Sequence, residues 1–413
     1  MTRPKTVALV NHTAQWGGAE LALKRLVLSM DQTHWVPVLI FGENGPAVEA
    51  LRHRGVETYV LPMPPVLCST RRAALSEGGL ASIRRWTALI RYASQMASFL
   101  KERAVDLVHT NSMKAHILGG LAARFLRIPV LWHVRDSIED ASFPRAAVFA
   151  LRFLARHIPS RVICVSNAVA RTLRGKNGNP LNARVVYDGL EAPAFERPAE
   201  PGDSQCRWRI GIPGRLSPWK GQHIFLEAAA DLRAKGYPIE FEIVGGALFG
   251  EEEYARGLER QVQLLGLGGC VTFSGFVTDV LDRIRTWDVC VHASTLADPC
   301  PNVVLEAMAA GVPVVASDGG GVPELLDGGR VGEIYPMGDS VRLSEAIERL
   351  LLDRERRSAL SVEGRAHALK HFRAERATDE IEKIWAECAS DRTWERRKWP
   401  WLEDGLAVAW TGR

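Results

Sequence analysis

Short apolar runs alternate along the chain with longer segments in which apolar residues recur every third or fourth position. The short runs are rich in β-branched residues and predict strands, whereas the longer segments predict amphipathic helices. In the first half, strands are predicted at residues 7–10, 36–41, 58–61, 107–109, 130–133 and 162–165, and helices at 20–30 and 115–126. This order favours a parallel sheet covered by helices on both faces.

The alternation is interrupted once and then begins again. Residues 191–205 contain repeated proline and acidic residues, which is typical of a linker. After it, strands are predicted at 208–212, 240–244, 271–273, 289–292 and 313–316, and helices at 224–235 and 254–265. We therefore predict an α/β protein with two Rossmann-like domains, residues 1–190 and 206–370, and a ligand-binding cleft between them.

Composition indicates the cellular setting. The chain has 413 residues, of which 46% are hydrophobic and 24% charged, as in ordinary globular proteins. Its seven cysteines form no C-x-x-C pair and no zinc-type spacing, which favours a reduced cytosolic protein. The apolar run at 6–10 is too short for a signal peptide, and no run approaches the ~18 apolar residues that span a bilayer. We expect a cytoplasmic protein without a membrane-spanning helix.

The net charge of +4 hides a difference between the two halves. Residues 1–190 contain 25 Lys and Arg against 12 Asp and Glu, whereas the rest of the chain contains 27 against 36. A basic half beside an acidic half suggests that the first half faces an anion. Nucleic acid is one candidate, but we find no helix-turn-helix, zinc-finger or RNP-type pattern and expect none to bind. An anionic membrane surface or a phosphorylated lipid suits the charge equally well.

Two loops that follow predicted strands carry groups suited to phosphate. Gly17 and Gly18 open a helix after the first strand, where free N–H groups favour an anion, although a tight turn without a ligand is the alternative. Arg215 and Lys220 follow the first strand of the second half and are the two donor types that neutralise a diphosphate. Solvated surface charges are the alternative there. A strict G-x-G-x-x-G is absent, so a dinucleotide cofactor is not favoured.

A second group of polar residues surrounds a short predicted helix of about nine residues. Asn302 is a plausible N-cap, Gly311 a C-terminal glycine, and Pro313 prevents continuation. Asp298 then lies in the loop before the helix and Glu306 in its second turn. Two carboxylates beside an N-terminus that favours phosphate suit hydrogen bonds to sugar and ribose hydroxyls. The alternative is a solvated Asp and a surface Glu.

Taken together and in this order, the motifs resemble the retaining glycosyltransferases of family 4, which have the GT-B fold. The resemblance rests on Gly17-Gly18, Gly214-Arg215 with Lys220-Gly221, and the block from Asp298 through Glu306 to Val315. It covers roughly residues 5–385 and is strongest from 206 to 340. The chain departs from the family at Asp298, where glutamate is usual, and the carboxylate shortened by one methylene weakens any inference about the donor sugar.

The resemblance implies roles for individual residues and a nucleotide-sugar donor. Arg215 and Lys220 would hold its diphosphate, Glu306 the ribose, and Asp298 hydroxyls of the transferred sugar. Further positions would surround the donor: the backbone at Asn302, Val303 and Val304, Gly18 from the first domain, and Gly275, Phe276 and Val277 at the base. His133 would face the sugar, although a histidine at the end of a strand is often structural. Residues 371–413 would cross back to the first domain.

The resemblance also bears on the reaction. We expect retention of anomeric configuration, a lipid-linked or saccharide acceptor, and no metal, because no D-x-D occurs in the sequence. Arg215 and Lys220 with a helix N-terminus would stabilise the leaving diphosphate. A double displacement needs a nucleophilic carboxylate close to C1 of the sugar, and we identify none. This favours attack by the acceptor on the same face of the sugar from which the leaving group departs. A sugar-nucleotide epimerase and a non-catalytic nucleotide-sugar binding module are the alternatives.

One segment suits a membrane surface. Residues 71–91 contain Arg71, Arg72, Arg84, Arg85 and Arg91, with Trp86, Leu89, Ile90 and Tyr92 among or directly after them. A basic amphipathic helix of this kind is suited to lying on anionic headgroups, where a lipid-linked acceptor would be presented. A solvated face on a basic domain is the alternative.

Overall fold

The computed structural model describes residues 3–68, 80–139, 143–174, 183–196, 207–247 and 250–391. The chain folds into two compact units. The first unit comprises Met1–Val165, Val169–Val186 and the chain from Thr378 onward, and the second comprises Ser166–Ala168 and Tyr187–Ala377. In the predicted linker, Ala192–Phe195 form a 3-10 helix of the second unit, and residues 197–206 lie outside the described residues.

The first unit contains a seven-stranded parallel sheet in the order β3-β2-β1-β4-β5-β6-β7. Its strands are β1 (Lys5–Asn11), β2 (Trp35–Phe41), β3 (Thr58–Val60), β4 (Leu107–Thr110), β5 (Val130–Val134), β6 (Arg161–Cys164) and β7 (Ala183–Val185). Its helices are α1 (Gly18–Ser29), α2 (Pro46–His53), α3 (Pro65–Cys68), α4 (Leu80–Glu102), α5 (Met113–Phe125), α6 (Arg145–His157) and α7 (Asn167–Arg174). Every residue of β4 and β5 is buried, because helices cover both faces of the sheet.

The second unit contains a six-stranded parallel sheet in the order β10-β9-β8-β11-β12-β13. Its strands are β8 (Trp208–Pro213), β9 (Ile239–Val244), β10 (Val271–Gly275), β11 (Val289–His292), β12 (Val314–Ser317) and β13 (Glu333–Tyr335). Its helices are α8 (Gln222–Ala234), α9 (Glu252–Leu264), α10 (Val280–Ile284), α11 (Asn302–Ala310), α12 (Val322–Leu325), α13 (Ser340–Leu352) and α14 (Arg354–His371). The predicted α/β class and the two Rossmann-like sheets are confirmed.

Both sheets reverse their strand order at one point. In the first unit the reversal lies between β1 and β4, and in the second unit it lies between β8 and β11. The loops that leave the carboxyl ends of such a strand pair run in opposite directions and open a crevice. The loops after β1 and β4, and those after β8 and β11, are therefore the expected ligand-binding edges of the two sheets.

The last described helix, α15 (Ala374–Ser390), begins in the second unit and belongs to the first unit from Thr378 onward. Its side chain Trp385 is completely buried and packs edge-on against Trp35 of β2, with ring centroids 5.3 Å apart. Phe372 and Arg373 separate α14 from α15, and Arg373 pairs as an isolated bridge with Leu190. Within the part of the chain that the structure describes, every helix is too short or too polar to span a bilayer.

Candidate functional site

The loop after β8 brings Lys220 to the loop after β11. Gly221 follows Lys220 with a φ of +72°, and a Cβ at this position would lie 1.8 Å from the carbonyl oxygen of Ala293. Only glycine tolerates both that backbone conformation and that approach. The sequence Lys220-Gly221 therefore fixes the distance between the two loops on either side of the strand reversal.

Lys220 and Asp298 form an ion pair at this point. The Lys220 Nζ donates to Asp298 Oδ2 over 2.6 Å, and the carboxylate is buried. Burial alone would raise the pKa of Asp298, but the Lys220 ammonium and a hydrogen bond from His292 outweigh burial and hold that pKa well below its usual range. Asp298 is therefore an anion in this structure at neutral pH.

His292 is a member of the cluster that sequence reasoning missed. It ends β11, and its Nε2 lies 3.3 Å from Asp298 Oδ2 and 2.9 Å from Ser294 Oγ. Burial lowers the pKa of His292, although the charge of Asp298 opposes that shift, so the imidazole is neutral. The only signal in the sequence is a histidine at the end of a predicted strand six residues before Asp298, which is weak by itself.

The loop that carries Asp298 is also held by three consecutive glycines that we did not select from the sequence. Gly321 N–H donates to the Asp298 carbonyl over 2.9 Å. A Cβ on Gly320 would lie 2.0 Å from that carbonyl oxygen, and one on Gly321 would lie 2.3 Å from the Pro299 carbonyl oxygen. Side chains at these positions would therefore displace the Asp298 loop. The run Gly319-Gly320-Gly321 was a recognisable signal for such a close backbone approach.

Helix α11 lies as predicted over nine residues, but the predicted cap is wrong. Pro301 is the N-cap, its extended backbone (φ −68°, ψ 112°) precedes the helix, and its carbonyl accepts from Val304 N–H over 3.1 Å. Asn302 is consequently the first helical residue. The C-terminus is as predicted, because Gly311 adopts a left-handed conformation with a φ of +74°.

Glu306 and the first turn of α11 occupy the expected positions. Glu306 and Val304 are buried, whereas Asn302 and Val303 are half-buried at the helix start. The first-turn N–H groups of an α-helix attract anions, although that of Val304 already donates to the Pro301 carbonyl. The helix start follows directly on the Asp298 loop, so the carboxylate pair and the N–H groups belong to one edge of the sheet.

Arg215 and Lys220 share an aromatic neighbour in the loop after β8. Lys220 Nζ lies 4.1 Å from the centroid of the Trp219 ring, and Arg215 Cζ lies 6.0 Å from it. Burial lowers the pKa of Arg215, an effect that Glu251 opposes, but a guanidinium stays charged under any physiological condition. Two cations over one indole ring form a compact positive edge.

The predicted base-binding residues lie at a different strand. Gly275 ends β10 with a φ of +66°, the Phe276 side chain is 69% exposed, and Val277 is half-buried. Strand β10 is at the edge of the sheet, two positions from β8. Gly275, Phe276 and Val277 therefore lie two strands from Lys220 in the sheet order, at the same carboxyl edge.

In the first unit, Gly17 and Gly18 form the turn between β1 and α1. Gly17 is the N-cap of α1 in an extended conformation, and Gly18 is its first residue. A Cβ on Gly17 would lie 2.9 Å from Glu20 Oε2. Glu20 was missed by the sequence reasoning. Its buried carboxylate accepts from Asn11 Nδ2 over 2.8 Å, and burial raises its pKa.

His133 is completely enclosed in β5. Its Nδ1 lies 3.2 Å from His109 Nε2 and 3.5 Å from Arg135 Nη2. Arg135 Nε donates to Asn111 Oδ1 over 2.8 Å, and Asn111 Nδ2 donates to the Ala19 carbonyl over 3.1 Å. A chain of hydrogen bonds thus links His133 to the turn that begins at Gly17.

Comparisons with known proteins agree with this geometry. The family described as "Glycosyl transferase 4-like domain" matches residues 17–189, and "Glycosyl transferases group 1" matches residues 198–367. A D-inositol 3-phosphate glycosyltransferase of Corynebacterium jeikeium is 24% identical over 75% of this chain and 79% of its own length.

Two further proteins extend the comparison. The UDP-Gal:alpha-D-GlcNAc-diphosphoundecaprenol alpha-1,3-galactosyltransferase of Escherichia coli is 26% identical over 68% of this chain and 70% of its own length. The crystal structure of Anabaena HepE in complex with UDP is 26% identical, with a TM-score of 0.78 over 93% of this chain and all of that one. The two family matches, one in each half, and the two parallel sheets lead to one conclusion: the chain belongs to the group 1 glycosyltransferases and has the GT-B fold.

Proposed function

We propose that this glycosyltransferase moves a sugar from a nucleoside diphosphate donor to a lipid-linked acceptor on the cytoplasmic face of a membrane, with retention of anomeric configuration. The observation that carries the donor half of the proposal is the Lys220–Asp298 ion pair at the reversal of the second sheet. It joins a cation suited to a diphosphate with a carboxylate suited to sugar hydroxyls.

In the proposed complex, Arg215 and Lys220 hold the diphosphate and the N–H groups at the start of α11 complete its surroundings. Asp298 accepts hydrogen bonds from the transferred sugar, Glu306 binds the ribose, and the edge from Gly275 to Val277 seats the base. HepE, whose sheets are similar to these, was crystallised with UDP, which supports a uridine or related nucleotide. No metal is needed in this scheme, because two cations neutralise the leaving group.

Retention is proposed as attack from the leaving-group face. The bond from C1 to the diphosphate oxygen breaks as the bond from C1 to the acceptor oxygen forms, and the acceptor proton passes to the departing phosphate. A double displacement would need a carboxylate free to attack C1. Asp298 is instead buried and engaged by Lys220 and His292, which favours the first route.

The acceptor is proposed from charge and from the printed names of two relatives. Those names describe a phosphorylated inositol and a diphosphoundecaprenol-linked sugar, so both acceptors carry phosphate. The excess of basic residues in 1–190 suits such an acceptor. Helix α4 of the first unit exposes Arg84 and Arg91, and Trp86 is 60% exposed, which suits contact with anionic headgroups.

The test is incubation of the protein with a panel of labelled nucleotide sugars, with and without a bacterial lipid extract. We expect label to enter the organic phase only when both are present, and proton NMR of the product to show the donor's anomeric configuration. An isomerised free donor would instead indicate an epimerase, and binding without turnover would indicate a binding module. Transfer only to water-soluble acceptors would refute the lipid-linked part.

A further inference from the structure

We propose that Trp385 and His109 act as positioning residues that fix His133 as a neutral hydrogen-bond donor through Nε2, aimed at an oxygen of the bound substrate. The inference rests on the proposed function in one respect, namely that His133 faces a substrate. The tautomer itself follows from the contacts within the first unit. His133 would accordingly donate a hydrogen bond to a substrate oxygen, such as that of a sugar hydroxyl, and would not act as a general base.

The hydrogen-bond chain begins at the contact between Trp385 and His109. The indole Nε1 of Trp385 lies 3.0 Å from Nδ1 of His109, and both groups are buried. An indole N–H donates and never accepts, so Nδ1 of His109 must accept. A neutral imidazole carries one proton, which then has to be on Nε2 of His109.

The contact between His109 and His133 determines which nitrogen of His133 carries the proton. His109 Nε2 lies 3.2 Å from His133 Nδ1, so the His109 N–H donates and His133 Nδ1 accepts. Arg135 Nη2 lies 3.5 Å from the same nitrogen, and a guanidinium also only donates. The two neighbours therefore agree, and the proton of the neutral His133 ring is on Nε2.

Both rings must be neutral for this assignment, and their surroundings keep them so. His109 and His133 are completely buried, and burial lowers the pKa of His109 to about 3 and the pKa of His133 well below its usual value. The charged and titratable groups acting on them are Arg135 and His116, and both disfavour a further positive charge. Each ring is thus held neutral by burial first and by Arg135 second.

The second ring nitrogen of His133, Nε2, can then bind a substrate. Among the described residues, His133 Nε2 is buried and has no hydrogen-bond partner. A buried N–H without a partner is unfavourable, because it has lost its hydrogen bond to water. A substrate oxygen would satisfy it, and because Nε2 already carries a proton, that oxygen has to accept. A substrate analogue lacking this oxygen would leave the N–H unsatisfied and bind more weakly.

Side-chain nitrogen NMR on uniformly ¹⁵N-histidine-labelled full-length protein tests the tautomers without any activity measurement. His109→Gln and His133→Gln spectra assign the two rings. We expect both to be neutral with the proton on Nε2 at pH 7. A proton on Nδ1 of His133, or a doubly protonated ring, would overturn the inference even if the protein is an active transferase.

Two pairs of variants test the positioning role. Trp385→Phe removes the donor to His109, whereas Trp35→Phe shortens the partner ring of the same aromatic pair and leaves the Trp385–His109–His133 chain intact. His109→Leu removes the donor to His133, whereas His109→Gln keeps an N–H₂ group at a similar reach. We expect kcat to fall on the order of tenfold in Trp385→Phe and His109→Leu, the size typical for groups that orient a functional imidazole indirectly. We expect Trp35→Phe and His109→Gln to stay close to wild type.

A structural role alone would give a different pattern. If Trp35→Phe and Trp385→Phe lose activity and thermal stability equally while the His133 tautomer is unchanged, Trp385 only fills space and the inference is wrong. If wild type has the expected tautomers but transfers no sugar, the proposed function fails while the hydrogen-bond chain remains correct. If transfer occurs with His133 protonated on Nδ1, the function holds and the inference fails.

Discussion

The ammonium of Lys220 lies 2.6 Å from the carboxylate of Asp298, which sits on a loop that leaves the sheet on the opposite side of the strand reversal. The two proposed donor-binding groups are thus paired with each other. A bound diphosphate would have to share the ammonium with Asp298. The pair therefore couples the site for the phosphates to the site for the sugar.

This coupling makes Lys220→Ala and Asp298→Asn behave differently. Removing Lys220 leaves a buried carboxylate without its cation, which typically costs about 3–5 kcal/mol of stability, and it removes a proposed phosphate ligand. We expect weaker binding of UDP and a lower melting temperature. Asp298→Asn keeps the cation, so UDP binding should persist while transfer slows on the order of 10²–10³-fold. Calorimetric titration with UDP and initial rates make the comparison.

The double variant Lys220→Met with Asp298→Asn is the control for stability, because it removes both charges of the pair. It should melt above Lys220→Ala yet bind UDP no better. Equal loss of UDP affinity in Lys220→Ala and Asp298→Asn would contradict the division of roles between the two side chains.

Gly320 and Gly328 provide a matched pair for the glycine run. Their φ angles are +68° and +67°, but a Cβ on Gly320 would lie 2.0 Å from the Asp298 carbonyl oxygen, whereas one on Gly328 would contact nothing within 4 Å. Gly328→Ala should cost only the left-handed backbone penalty of about 1–2 kcal/mol. Gly320→Ala should destabilise the second unit further and abolish donor binding, as measured by urea unfolding and UDP titration. Equal effects would show that the contact with the Asp298 loop is unimportant.

The sheets were predictable because strands buried on both faces leave β-branched runs that stand out in the sequence. Lys220, Asp298 and Glu306 could be selected because their order matches a known family. His292 and His109 could not, since each is a single histidine within a strand and acquires meaning only from partners that the fold supplies. The Trp385–His109 contact joins positions 276 residues apart. Asn302 was mistaken for the cap because capping preferences describe side chains, and the backbone of Pro301 decided the outcome.

Buried neutral histidines should make the protein acid-sensitive. Burial lowers the pKa values of His109 and His116 to about 3, below the value near 6.5 in an unfolded chain. Below pH 6.5 the unfolded chain binds protons at these histidines that the folded chain does not. The free energy of unfolding is therefore highest above pH 6.5 and decreases as the pH falls toward 3. Each histidine adds up to about 1.4 kcal/mol per pH unit to the slope.

Urea unfolding between pH 7.5 and 5.5, above the range where most carboxylates titrate, measures this slope. His116→Gln should reduce the slope of the unfolding free energy against pH by up to the contribution of one histidine. The matched control is His53→Gln, the same substitution at a histidine exposed on α2. An unaltered slope in His116→Gln would mean that burial of this ring does not control the acid sensitivity.

Activity should persist in excess EDTA. The sequence has no D-x-D, and among the described residues no three His, Cys, Asp or Glu side chains form a group that could hold a metal ion. Lys220 and Arg215 would neutralise the leaving diphosphate instead. The measurement is transfer rate with and without chelator, with added magnesium or manganese as the comparison. Complete loss that manganese reverses would contradict a metal-independent reaction.

Binding to anionic vesicles should depend on helix α4. Arg71 and Arg72 of the predicted basic segment lie outside the described residues, and Tyr92 is buried, where its hydroxyl donates to the Leu61 carbonyl over 2.8 Å. Tyr92 thus belongs to the core and not to the surface. The remaining basic residues near an anionic surface contribute roughly 1 kcal/mol each, screened by salt.

We expect wild type to sediment with anionic vesicles at low salt and to be released at high salt. Replacing Arg84, Arg85 and Arg91 by Glu should abolish sedimentation without changing UDP binding. The control replaces three exposed arginines of the second unit, Arg233, Arg256 and Arg260, by Glu. If both triple variants lose sedimentation equally, general charge and not α4 governs the attraction. If wild type does not sediment with the vesicles, the proposed contact of α4 with anionic headgroups is refuted.

The position of Trp385 on α15 also determines when the protein can become active during synthesis. The seven strands of the first unit precede nearly all of the second unit in the chain, but the residues of α15 that belong to the first unit follow the whole of the second. Until α15 is made, the buried position between Trp35 and His109 is not filled by the indole of Trp385. A nascent chain can thus assemble the sheet early, while the histidine chain at its carboxyl edge is completed only when translation has passed Trp385.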